Sequence, residues 1–311
     1  MLPNPISDPE IIEAAGLRWI HIESPRSADR DWLEDNYPQF HELDIEDVYS
    51  RNQRPKLDQY ADYVFIVLHF PLYDKDTGRI LTAEVDLFLG PDFLITLPNI
   101  PLPPLSAMFE RYREKPELRE EVFSKGSGYL LYKIVDTGVD ASFPMLRKTG
   151  LKLERLEDDI FEGRSSEIVR DLSEAKQEII NFRKIVRPQR AVLRDLERTK
   201  QRYLQDELEI YFDDISDAAE RIWDTLENYK EVIEGLESTN ESVLSHRLND
   251  SFRILTAASV ILLPLTLIAS IFGMNVMFPG EGELGTFYVI LALMAASLLG
   301  LVILFRRRGW L

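Results

Sequence analysis

Near the C-terminal end of the chain, side-chain oxygens recur at helical spacing. Thr256, Ser259, Leu263, Thr266 and Ser270 follow one another at intervals of three, four, three and four residues. At 100° per residue they share a sector about 80° wide on one helix. Asn249 and Phe252 extend the same face backwards. The stripe carries amide and hydroxyl groups but no carboxylate, and most of it lies in the uncharged run Ile254 to Phe272. Two chemistries fit such a stripe. The hydroxyls can bond to a neighbouring membrane helix, for about 1 kcal/mol each, or they can line a water-filled path.

A second oxygen-rich pattern lies upstream. Glu154, Glu157, Asp158, Asp159 and Glu162 form one group, and Asp206, Glu207, Glu209, Asp213, Asp214 and Asp217 another. Such runs ordinarily form solvated helix faces. They are also the ligands that hard divalent cations take. Carboxylates from adjacent subunits repel one another unless a cation bridges them, which would tie assembly geometry to metal concentration.

Other chemistries are disfavoured. The four histidines, His21, His41, His69 and His246, are scattered, and none has the spacing of a zinc hydrolase. The absence of cysteine excludes disulfides and thiolate sites. No P-loop and no combination of nucleophile, base and orienter is visible, so the chain does not read as an enzyme. With 53 acidic and 36 basic residues the net charge is −17. That repels nucleic-acid phosphate and suits a cation partner.

The stripe has to be positioned by a membrane. Ile254–Phe272 and Phe287–Phe305 are uncharged runs of about 19 residues, each roughly 28 Å long as a helix. Arg247 and Arg253 precede the first, and Arg306, Arg307 and Arg308 follow the second. The loop between them holds only Glu281 and Glu283 as charged residues. The positive-inside rule therefore predicts both termini in the cytoplasm and the loop outside. The N-terminal stretch lacks the features of a signal peptide, so the first ~250 residues are expected to stay cytoplasmic. In the second span Ala292, Ala296 and Gly300 form a small-residue seam for helix packing, and the remainder suits lipid. The first span is then the inner one. One hairpin cannot enclose a pore, so several subunits must surround an axis.

The fold class expected is α+β: an N-terminal cytoplasmic α/β sheet domain, a long helical stalk and two C-terminal transmembrane helices. Strands are predicted at 19–23, 63–70, 80–89 and 93–97, the last three joined by the turns "DKDTG" and "GPD". Short helices are expected in "SPRSADRDWLEDNY" and "HELDIEDVYSR", and the sheet should end at "PNIPLPPL". From about Leu105 onward the pattern is helical, with breaks expected at "EGRSS" and near Arg187-Pro188. The last helix is predicted from about Asp213 into the membrane, on the order of 90 Å long. Ile215, Ala219, Ile222, Leu226, Ile233 and Leu236 give it a packing face. The expected division is 1–104 (α/β domain), 105–250 (helical region and stalk), 251–305 (transmembrane hairpin) and 306–311 (basic tail).

"PLTLIASIFGMN", a second span and a tail ending "RRRGWL" together resemble the CorA-type divalent-cation transporters, whose signature is Gly273-Met274-Asn275 here. "RPKLDQYADYVFIVLHFP" is also similar to that family's N-terminal domain. The resemblance implies a homopentamer in the cell (inner) membrane. Its five inner helices would line a pore with Asn249, Phe252, Leu255, Thr256, Ser259, Leu263, Thr266, Ser270 and Gly273, and a ring of Asn275 would form the outer mouth. It implies Mg2+ both as transported ion, with Co2+ and Ni2+ alongside, and as a cytoplasmic regulatory ligand, with no organic cofactor. For the regulatory site it points to Asp214, with Asp213, Asp86 and Asp92 as further candidates. Arg306–Arg308 would anchor the second span or form a basic collar. The better-known magnesium members carry "MPEL" shortly after the signature, whereas this chain reads "VMFPGEGELG". A zinc carrier like ZntB is therefore the close alternative, and a non-conducting membrane-tethered sensor or scaffold the more remote one.

Overall fold

The computed structural model describes residues 9–50, 53–162, 168–199, 203–204, 206–274, 279–280 and 283–310. They fall into two compact units, residues 1–236 and 237–311.

The first unit is built on six strands: β1 (Glu10–Ala14), β2 (Leu17–His21), β3 (Lys56–Gln59), β4 (Val64–Asp74), β5 (Arg79–Leu89) and β6 (Phe93–Pro98). They stand in the order β1-β2-β6-β5-β4-β3, and every neighbouring pair is antiparallel except β2 with β6. The β4–β5 turn follows from its sequence. Asp74 accepts from the Asp76 amide at 3.1 Å and the Thr77 hydroxyl at 2.5 Å, and Gly78 supplies the positive φ of 67°.

β4, β5 and β6 read as nearly continuous apolar runs because both faces of the sheet are covered. On one face Phe65, Val67, Phe88, Ile95 and Leu97 pack with Leu33 of α1 (Ser27–Asn36) and with Ile45 and Val48 of α2 (Glu42–Tyr49). On the other face Val64, Ile66, Leu68, Val85 and Leu87 meet a helical layer. That layer comprises α3 (Pro103–Glu114), α4 (Pro116–Phe123), α5 (Ser127–Asp140), α6 (Ser142–Glu162), α7 (Ile168–Arg198) and the start of α8 (Glu209–Phe272). The second unit holds the rest of α8 together with α9 (Leu284–Arg307).

The expected strands, both short helices and the antiparallel turns are present, with three differences. β1 and β3 were not expected. Both are short and lie at the two sheet edges; "KLDQ" has no β-branched or aromatic residue, and in "EIIEA" the two isoleucines are adjacent rather than alternating with polar residues. The break near Pro188 does not occur, and α7 runs through it. An interior proline costs about 3 kcal/mol, but here Phe182, Ile185, Val192, Leu193 and Leu196 are buried on both sides of it. Gln189 adds an anchor by accepting the His69 amide proton at 2.7 Å, at the edge of β4 beyond the end of β3. The chain instead leaves the helix at Thr199, whose hydroxyl caps the Asp195 carbonyl at 2.7 Å, and α8 begins at Glu209 rather than about Asp213. No glycine or proline marks that break.

Trp223 fixes the start of α8 against α7. The Arg183 and Arg190 guanidinium groups lie 5.2 and 5.0 Å from its ring, and they pair with Glu227 and Glu220 respectively.

Candidate ion pathway

Asn249, Phe252, Leu255, Thr256, Ser259, Leu263, Thr266 and Ser270 all lie on α8, and all are exposed. Leu255 and Leu263 are 64 % and 65 % exposed, which water alone would not tolerate over a whole helix face. α8 and α9 are both long and apolar enough to cross a membrane.

Two of the hydroxyls are turned onto their own helix. Ser259 donates to the Leu255 carbonyl at 2.9 Å, and Thr266 donates to those of Leu263 at 2.8 Å and Leu262 at 3.2 Å. Donating inward satisfies the proton locally and leaves the oxygen lone pairs outward. Outward oxygens are the end of the dipole that faces a cation or the protons of its water shell.

α8 ends at Phe272. Gly273 donates to the Ala269 carbonyl at 2.9 Å, and a Cβ at Gly273 would sit 2.9 Å from that same oxygen, so the helix closes on a residue with no side chain. Met274 is exposed. Asn275 and Glu281, both singled out in the sequence, lie outside the described residues. Glu283 is exposed and caps α9, its carbonyl accepting from Phe287 at 3.3 Å. Arg306, Arg307 and Arg308 are exposed at the far end of α9.

The carboxylates in the first unit occupy contrasting surroundings. Asp213 and Asp214 lie exposed on α8. Asp92 is exposed and pairs with Arg18 at 3.4 Å. Asp86 is 1 % exposed, and its Oδ1 has no hydrogen-bond partner among the described residues. Burial holds its carboxyl well above the usual range, the Glu84 and Asp47 charges push the same way, and Lys56 opposes them. Glu84 is itself buried and faces His69 at 3.4 Å. Sequence reasoning missed Asp136 of α5, whose carboxyl is pushed up by burial first and then by the charges of Asp140 and Asp214. Its helix reads as apolar core, and only the fold brings it near α8. Among the described residues no three histidine, aspartate or glutamate side chains converge as a metal-binding group.

A family model described as "CorA-like Mg2+ transporter protein" matches residues 14–307. The chain belongs to the CorA family. It is 30 % identical over 295 residues to the cobalt/magnesium transport protein CorA of Thermotoga maritima, covering 94 % of this chain and 83 % of that one. The complete CorA magnesium transporter structure from Methanocaldococcus jannaschii superposes with a TM-score of 0.83 at 23 % identity, covering 95 % of this chain and 92 % of that one. A zinc transport protein ZntB of Yersinia pseudotuberculosis is more distant, at 19 % identity over 98 % of this chain and 91 % of that one. CorA-family proteins are divalent-cation transporters of membranes, not enzymes. The α+β fold with a long helix and two apolar C-terminal helices agrees with that membership.

Proposed function

We propose that five copies of this CorA-family chain form a channel in the cell membrane that carries Mg2+, and also Co2+ and Ni2+, passively into the cytoplasm. The observation that carries this reading is the exposed stripe on α8, with the Ser259 and Thr266 protons bonded inward and their oxygens outward. The stripe lies on a helix that ends at Phe272, just before Gly273-Met274-Asn275 in the sequence.

The chemistry suits a small ion that dehydrates reluctantly. A carboxylate ring would hold Mg2+ too tightly to release it, whereas hydroxyl and amide oxygens hydrogen-bond its water shell and let it pass. A ring of Asn275 at the outer mouth selects the hydrated ion, and Leu255 and Leu263 form apolar constrictions that close by dewetting. A potential of 100 mV, negative inside, supplies about 4.6 kcal/mol for two charges, so no chemical fuel is needed. Both termini are cytoplasmic, and residues 251–305 form the membrane hairpin between the helical region and the basic tail. Mg2+ bridging Asp214 to a neighbouring subunit holds the pore closed, with Asp213, Asp86 or Asp92 as further ligands. Depletion of Mg2+ lets the like-charged subunits move apart. Arg306–Arg308 anchor the second span or collar the mouth, and Glu281 and Glu283 draw cations to the outer loop.

The loop "VMFPGEGELG" and the ZntB relative favour Zn2+ as the second reading. Uptake of Mg2+, Co2+, Ni2+ and Zn2+ into proteoliposomes, measured side by side with and without metal on the cytoplasmic face, tests the choice. Mg2+ flux suppressed by cytoplasmic Mg2+ is expected. Zn2+ flux without Mg2+ flux would overturn the choice of ion, and no flux of any ion would leave a tethered sensor.

A further inference from the structure

Arg253 stands immediately before the uncharged run of the first span, next to the stripe residue Phe252. On the helix, Arg253 and the buried Ala257 share a face about 120° from the centre of the hydroxyl stripe. On that face Arg253 is engaged by the end of the chain. α9 closes with the Gly309 amide on Arg306 at 3.2 Å and the Trp310 amide on Phe305 at 2.9 Å, and Gly309 takes a φ of 67°. This helix-terminating turn needs glycine, and it folds the Trp310 ring back to 5.5 Å from that of Phe305, which is itself buried. The Arg253 guanidinium lies 5.9 Å from the Trp310 ring and donates to the Gly309 carbonyl. Its other contact is Asp250 at 3.3 Å, one turn back. Ala257 and Phe305 are the buried apolar residues among the described residues of 237–310. The end of α9 is thus where the two spans of one chain are tied together.

We propose that Gly309-Trp310 is a clasp that holds the Arg253 charge away from the ion path, which makes Trp310 a positioning residue for cation passage. The inference rests on the pore reading of α8. Released, the guanidinium of each subunit can swing toward the mouth beside Phe252. A unit positive charge there repels a dication, and water at low salt screens it incompletely. Held by a carbonyl and an aromatic face, it is kept at the outer side of α8.

The test uses the full chain in proteoliposomes, with Mg2+ influx measured at low and high ionic strength. Trp310→Ala is expected to lower influx about five-fold at low salt, with the defect shrinking at high salt. Adding Arg253→Gln to Trp310→Ala restores influx, Trp310→Phe retains it, and Arg253→Gln alone leaves it unchanged. Wild-type influx in Trp310→Ala overturns the proposal, as does a loss that neither salt nor Arg253→Gln relieves. The clasp is also read without flux. The chain has no cysteine, so Arg253→Cys with Trp310→Cys gives two unique thiols. A short bismaleimide should bridge them within one chain in the membrane, and failure to do so overturns the clasp. A wild type that carries no ion, together with a double-cysteine chain that does cross-link, refutes the pore reading instead.

Discussion

In the proposed channel, single residues decide whether α8 can pass an ion. Thr266 already satisfies its own proton, so Thr266→Val keeps the shape and removes only an outward oxygen. Losing one hydrogen bond to the hydrated ion is worth about 1 kcal/mol per subunit, and five-fold repetition should lower Mg2+ influx at least about ten-fold while the chain folds normally. Solute uptake by the purified variant checks this. His21 gives a test of the fold. It is 6 % exposed, its Nδ1 is 2.8 Å from the Thr96 hydroxyl, and its Nε2 has no hydrogen-bond partner among the described residues. Burial lowers its pKa, against the opposing Glu23 and Glu110 charges. Below an unfolded-state value of about 6.5 the unfolded chain binds the proton more readily than the folded one, so stability falls as pH drops from there toward the lowered folded value. Melting scans between pH 5 and 7 should show that decline, and His21→Gln should flatten it. At this scale the stripe was legible because helical spacing is local. Asp136 was not, because its burial and the charge of Asp214 act on it only once α5 is packed and α8 lies nearby.

Elements explain which parts of the sequence misled. β4, β5 and β6 were readable from apolar runs closed by turn residues, but the edge strands β1 and β3 are too short to show such a run, although each pairs with its immediate neighbour in sequence, β2 and β4. Pro188 signals a helix end locally, yet the packing around α7 overrides it. The reverse holds at Thr199, where the helix stops without a local breaker. Packing of α5 on the sheet makes a sharp prediction. A Cβ on Gly138 would lie 2.3 Å from the Phe70 ring, which is itself buried. Gly138→Ala should therefore destabilise the chain by about 1–3 kcal/mol, seen as a lower melting midpoint. If α8 carries the cytoplasmic state toward the membrane, Trp223→Ala, which removes the ring shared by Arg183 and Arg190, should weaken the suppression of flux by cytoplasmic Mg2+ more than it changes maximal flux.

At the scale of the whole molecule, the two-span architecture and the acidic charge were legible because hydropathy and composition need no tertiary information. A multi-subunit assembly was expected because one hairpin cannot enclose a pore, but the number five came only from the resemblance to the CorA family. Purified protein should have a mass about five times the 36.0 kDa chain. The central claim is that the hydroxyl face of α8 surrounds water. The absence of cysteine makes it directly measurable. Single cysteines placed at Thr256, Ser259 and Thr266, and at Ile261, Leu265 and Ile268 on the opposite face, are challenged with a membrane-impermeant thiol reagent in proteoliposomes. The account predicts fast reaction and blocked Mg2+ influx at the first three positions, slowed by Mg2+, and little reaction at the other three. Equal protection of both sets, or reaction confined to Ile261, Leu265 and Ile268, would contradict it.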